Sequence, residues 1–108
     1  MAKGDALGEF EQIVLLAILR LRQDAYGMTV RREIEARTGR ESAIGAVYAT
    51  LDRLESKGLV RSRETEPTAD RGGRPRRIYQ VTAAGSKSLE RTQKALASMM
   101  EGLKLRPV

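Results

Sequence analysis

The chain has 108 residues, with 20 Lys or Arg against 14 Asp or Glu and a net charge of +6. That length suits one domain with a modest core, an apolar content of 41% argues against disorder, and the excess of cations favours a polyanionic partner. Cysteine and histidine are both absent, which excludes a disulfide framework and a thiolate metal site and removes the commonest general base and metal ligand.

The first helix is expected over residues 9–21. Phe10, Ile13, Val14, Ala17, Ile18 and Leu21 share a broad face, which Leu15, Leu16 and Leu19 widen. A helix this apolar is either central in the core or pressed against a partner. Glu9 and Glu11 in its first turn and Arg20 and Arg22 in its last match the helix dipole. The apolar run from Ile13 to Leu19 is shorter than the ~20 residues needed to cross a bilayer. Acids rather than bases precede it, the wrong flank for a secretory signal, so the expected location is the cytoplasm.

The second helix lies within residues 24–39, with either Asp24 or Thr29 as N-cap and Gly39 as the stop. Val30 and Ile34 point inward, with Tyr26 above them. The third helix is expected over about residues 43–57, capped by Ser42 and ended by Gly58. Val47, Leu51 and Leu54 fall at i, i+4, i+7 and bury together. The opposite stripe is Ala46, Ala49, Thr50, Arg53 and Lys57, small near its start and basic further on, with Tyr48 between the two faces.

Residues 59–66 and 76–81 read as two antiparallel strands. The intervening PTADRGGRPR carries two prolines and two glycines and is a turn. Arg71, Arg74, Arg76 and Arg77 lie within seven residues at its end, with no acid between Asp70 and Glu90. Guanidinium forks pair with phosphate and enter narrow minor grooves, and Gly72 and Gly73 let the backbone approach closely. The alternative is a solvated loop whose charge only aids solubility.

Thr82 caps a last helix over about residues 83–104. Gly85, Leu89, Thr92, Leu96, Met99 and Leu103 repeat at the a/d spacing of a coiled coil, so a second copy of the chain is the expected cover. Met99 and Met100 pack there, or line a small-molecule effector pocket between subunits. The division is residues 8–82 as a DNA-binding domain and residues 83–105 as a dimerisation helix. The fold class is mainly α with a small β-hairpin, a winged helix-turn-helix with a long C-terminal helix.

The segments LGEFEQIVLLAILRL, AYG, GAVYATLDRLESKGLV and YQVTAAG, in that order over residues 7–85, resemble the PadR family of transcriptional regulators. The resemblance implies a winged helix followed by a dimerising helix, acting as a repressor on double-stranded DNA. It carries DNA contact onto Ala46, Tyr48, Thr50, Arg53, Arg71, Gly73, Arg74 and Arg76. Tyr26 and Thr29, at the start of the second helix, join them if that end faces the duplex. Leu89, Leu96, Met99 and Leu103 are the expected homodimer contacts. Thr50 and Arg53 are the expected base readers. There is no tryptophan to stack a flat effector. No cofactor, metal or catalysis is expected, since nothing pairs a nucleophile with a base. The competing assignment is an RNA-binding or protein-docking winged helix.

Overall fold

The computed structural model describes residues 7–66 and 75–105. Six elements follow in chain order: α1 Glu9–Leu21, α2 Gly27–Thr38, α3 Ile44–Ser56, β1 Val60–Glu64, β2 Arg77–Val81 and α4 Ala83–Met100, with a 3-10 turn at Arg22–Asp24. Mainly helical structure with one antiparallel hairpin is therefore what the chain forms.

The core is one cluster. Val14, Leu15, Ala17 and Ile18 of α1 meet Val30 and Ile34 of α2, Val47, Leu51 and Leu54 of α3, and Val60 and Tyr79 of the hairpin. Val47, Leu51 and Leu54 are fully buried, and each contributes roughly 1.5–3 kcal/mol by leaving water. Of the two alternatives for α1, the central position in the core is the one seen. Its main stripe is central, while Leu16 and Leu19 stay exposed.

Local signals set the helix ends. The amide of Leu59 donates to the Leu54 carbonyl at 2.9 Å and that of Gly58 to Glu55 at 2.9 Å, a Schellman stop whose C′ residue has φ 76°. The chain then enters β1. Residue pairs run from Val60 opposite Val81 to Glu64 opposite Arg77. Tyr26 adds an isolated antiparallel bridge to Ile78, and the Tyr79 amide donates to the Ala25 carbonyl at 2.8 Å. The α1–α2 connection is thereby laced to the hairpin as a rudimentary third strand.

Several expected boundaries move. The second helix starts at Gly27, not Asp24, because residues 22–26 are spent on the 3-10 turn and the bridge. Thr29 is its third residue rather than its N-cap, and its hydroxyl accepts from the Tyr26 amide at 3.0 Å, closing the first turn from inside. Ser42 does not cap α3; Ala43 occupies the N-cap without a side-chain bond. The last helix stops at Met100.

The start of α4 is clasped to the end of α3. The Thr82 hydroxyl accepts from the Gly85 amide at 3.1 Å and donates to the Gly58 carbonyl at 2.7 Å. The Thr82 amide donates to the Leu59 carbonyl at 3.0 Å. Gly85 lies against that same carbonyl, so closely that a Cβ would overlap its oxygen and crowd Val81. Leu89, one turn on, is 6% exposed and belongs to the core of its own subunit. This corrects its expected place in a dimer seam. Gly85 and Leu89 anchor the helix, and only its distal half is free to meet a partner.

A buried carboxylate joins α1 to α3. Glu11 lies on the inward stripe with Val14, Leu15 and Ile18. It accepts from the Gly8 amide at 2.9 Å, from Lys57 Nζ at 2.9 Å and from Arg53 Nε at 3.4 Å. Burial pushes its carboxyl up, but the Lys57 ammonium, the Gly8 amide and the Arg53 guanidinium outweigh that and hold it below the ordinary glutamate value.

Two outcomes are expected. Gly85→Ala should destabilise the fold by about 1–3 kcal/mol, the usual cost of overpacking, because the obstructing atom is backbone; a denaturation midpoint equal to wild type would contradict this. For Glu11, a depressed folded pKa means stability that is present above the unfolded value and lost as pH falls through the folded one. The stability advantage of wild type over Glu11→Gln should therefore shrink as pH drops below about 4.3, measured by chemical denaturation of both proteins across an acid series.

Candidate nucleic-acid interface

Burying one side of α3 decides what the other side offers. Val47, Thr50, Leu51 and Leu54 are inward. Gly45, Ala49, Asp52 and Ser56, spaced 4, 3 and 4, then form the middle of the outward stripe, and all four are exposed. Ala46 and Arg53 lie on the flank nearer α1, and Tyr48 on the flank nearer α2. The helix surface is shallow at its start, where glycine and alanine leave nothing projecting. Such a surface fits against another polymer at short range.

Thr50 does not share that surface. It is 3% exposed, and its Oγ1 accepts from Arg53 Nη2 at 3.4 Å. It sits one residue before Leu51 and within the arc that the core covers, so the expected role as a base reader is corrected. Asp52 replaces it on the outward stripe. Its periodicity with Gly45 and Ala49 is legible in the sequence.

Arg53 keeps a side chain that is 54% exposed while its Nε turns toward Glu11. Lys57 makes the shorter contact to the same oxygen. The sequence offered a sign of this arrangement: Glu11 falls on the core stripe of α1, where a carboxylate needs cationic partners.

The beginning of α2 gathers three of the expected residues. The Tyr48 ring lies over Gly27, where a Cβ would collide with its distal atoms. The Arg76 guanidinium stands 4.2 Å from the centre of the Tyr26 ring, a cation–π contact between the wing base and the α1–α2 connection. Tyr26, Tyr48 and Arg76 thus flank the N-terminus of α2. Thr29 is nearby but buried, with its hydroxyl engaged by the backbone at Asp24 and Tyr26. It shapes the helix start rather than presenting itself outward, which corrects its expected DNA contact.

Beyond this cluster the hairpin carries the cations. Arg61, Arg63 and Arg77 are exposed on the strands. Arg61 Nε donates to Gln80 Oε1 at 3.1 Å across the ladder, and Arg77 reaches Ser62 Oγ at 3.0 Å. Arg71, Gly72, Gly73 and Arg74 lie outside the described residues. Tyr79 faces the core beneath; burial first, then the Asp52 charge, raises its hydroxyl pKa above the ordinary tyrosine value, so it stays neutral.

On α4, Leu96, Met99 and Met100 are exposed, Met99 at 77%, and Leu103 beyond the helix end is exposed as well. Among the described residues no cluster of His, Cys, Asp or Glu is arranged to hold a metal, and no helix is long and apolar enough to cross a membrane.

The chain matches the Transcriptional regulator PadR-like family over residues 15–91. It is 34% identical over 76 residues to Transcriptional regulator Rv3488 of Mycobacterium tuberculosis (strain ATCC 25618 / H37Rv), a match covering 70% of this chain and 66% of that protein, just under two thirds of the relative's length. Among solved structures it resembles a PadR family regulator from hypervirulent Clostridium difficile R20291, with a TM-score of 0.68 at 26% identity over 84% of this chain and 94% of that one. It also resembles a PadR family regulator from Eggerthella lenta DSM 2243, with a TM-score of 0.68 at 26% identity over 88% and 82% of the two chains. A complex structure of hsRosR-S4 superposes with a TM-score of 0.71 at 26% identity, covering 96% of this chain and 84% of that one. These neighbours share the overall winged-helix fold, and the chain belongs to the PadR-like family of transcriptional regulators, whose members are not enzymes.

Proposed function

We propose that this chain is a homodimeric repressor that binds an inverted-repeat operator in double-stranded DNA. The observation that carries the reading is the outward stripe of α3. It is small at Gly45, Ala46 and Ala49, and flanked by Tyr48 and Arg53. The B-form major groove admits an α-helix, and a start without projecting side chains lets the backbone approach base edges. The A-form major groove of duplex RNA is too deep and narrow for that approach, which favours DNA over the RNA-binding alternative.

The remaining cations supply attraction of another kind. Arg61, Arg63, Arg76 and Arg77 lie on or beside the hairpin, continuous in sequence with Arg71 and Arg74. Contacts from such a wing to phosphate add affinity without reading sequence. Asp52, in the middle of the outward stripe, suits a cytosine amino group and disfavours phosphate. The free apolar half of α4, with Leu96 and Met99, and Leu103 just beyond it have their cover in a second copy of the chain, together with Leu16 and Leu19 of α1.

Selection of bound duplexes from a random pool tests the reading. The expected product is an inverted repeat with half-sites about 10 base pairs apart, or a multiple of that, to match two α3 helices across a two-fold axis. On the selected site Arg53→Ala should cost about 1–3 kcal/mol if Arg53 forks onto a guanine, and less once that guanine is replaced. Equal losses on both duplexes would assign Arg53 to phosphate. Enrichment of no duplex, or equal affinity for duplex RNA, would overturn the DNA reading itself.

Assembly is tested apart from DNA. Leu96→Asp puts a charge into the apolar seam and should convert dimers to monomers in sedimentation experiments. Wild-type protein sedimenting as a monomer at micromolar concentration would overturn the dimer.

A further inference from the structure

We propose that Glu11 is a positioning residue for the reading helix: it holds the cations of Arg53 and Lys57 against α1, so that α3 meets DNA through its small outward stripe and not through phosphate attraction. The proposal rests on the DNA-binding reading above and adds to it a device for discrimination.

The geometry assigns the carboxylate two separable tasks. One oxygen accepts from the Gly8 amide at 2.9 Å and closes the first turn of α1. A glutamine serves that position of a capping box equally well, so the cap alone does not call for charge. The other oxygen receives both Lys57 Nζ at 2.9 Å and Arg53 Nε at 3.4 Å. Those two side chains are the only Lys or Arg between Glu41 and Lys57. The one buried acid of α1 therefore engages every cation that the reading helix possesses.

What remains on α3 is two acids. Asp52 is exposed, and Glu55 accepts from Ser62 Oγ at 2.7 Å. With its cations tied to Glu11, the helix has no net pull toward the phosphate backbone, which attracts any sequence alike. The attraction comes from the hairpin arginines instead. A helix that is not drawn in by charge enters the groove only where the base edges accept it. Arg53 can still swing its exposed guanidinium to a base edge, since its bond to Glu11 is the longer of the two, but the competing carboxylate raises the threshold for doing so.

The test compares Glu11→Gln with Glu90→Gln, which removes the same charge from an exposed position on α4. Binding to a non-operator duplex is measured across a salt series, alongside elution from heparin as a polyanion without base sequence. The proposal expects Glu11→Gln to bind non-operator DNA more tightly than Glu90→Gln. The salt slope should steepen by about 0.9 for each freed cation that reaches a phosphate in each subunit, with later elution from heparin and a smaller ratio of operator to non-operator affinity. Adding Lys57→Gln to Glu11→Gln should reverse part of the steeper slope. A merely structural role predicts a lower melting temperature with equal losses on both duplexes, and that result overturns the proposal. So does a heparin elution equal to that of Glu90→Gln. If Glu11→Gln fails to fold, Glu11→Asp keeps the charge but shortens the reach, and the same rise in non-operator affinity is expected from the lost Arg53 contact. Failure of the wild type to prefer any duplex would sink the DNA reading, while the heparin comparison still decides whether Glu11 restrains the two cations.

Discussion

Everything that faces outward in this molecule depends on how α3 is pinned by α1. Val47, Leu51 and Leu54 have no exposed surface, and they pack with Val14, Leu15 and Ile18 in one cluster. A helix has one angular freedom about its own axis, and burying a stripe removes it. A rotation of one residue would bring Tyr48 or Asp52 into an apolar core, where a ring hydroxyl or a carboxylate lacks partners. The same packing that stabilises the domain therefore selects Gly45, Ala49, Asp52 and Ser56 as the surface presented. In the proposed reading, recognition and stability are two sides of one helix.

The end of α3 extends that constraint to the rest of the fold. Gly58 reverses the chain in a left-handed conformation, and Leu59 feeds β1 while lending its carbonyl to Thr82. The hydroxyl of Thr82 and the missing Cβ of Gly85 then let α4 start within contact distance of that turn. The direction of α4 is thus set at the C-terminal end of α3. A second copy gripping the distal half of α4 would hold the two reading helices at a spacing determined by these few backbone contacts. The segment YQVTAAG has a mechanical meaning here: Tyr79 fills the core, Thr82 caps, and Gly85 makes room.

Much of this was legible from periodicity. The stripe of α1, the inward set of α3, the stop at Gly58 and the cap at Thr82 each rest on a local rule, and each appears as expected. Where local rules failed, a tertiary contact had taken over. Thr29 has the chemistry of an N-cap, but the bridge between Tyr26 and Ile78 holds the preceding residues extended and moves the helix start past it. Thr50 sits at an angle that either face of the helix can claim, and the core claimed it. Leu89 obeys the coiled-coil spacing, yet that spacing says only which residues share a face. It does not say which part of the face the subunit's own hairpin and α1 already cover. The first-turn position of Glu11 suits the helix dipole; that it is buried follows from Lys57 and Arg53 arriving 46 and 42 residues later in the chain.

The distribution of charge separates two requirements that a DNA reader must reconcile. Affinity for any duplex grows with the number of phosphates neutralised, and it erases the difference between right and wrong sequences if the reading surface shares in it. In this chain the cations Arg61, Arg63, Arg76 and Arg77 lie on or beside the hairpin rather than on the helix that would enter the groove. That helix carries its own two cations on a flank, in contact with a buried carboxylate. Its outward middle is glycine, alanine, aspartate and serine, which gain little from phosphate and much from a matching groove floor. In the proposed reading a net charge of +6 is therefore compatible with selectivity, because the hairpin cations lie on a different element from the outward stripe of α3, whose own two cations contact a buried carboxylate.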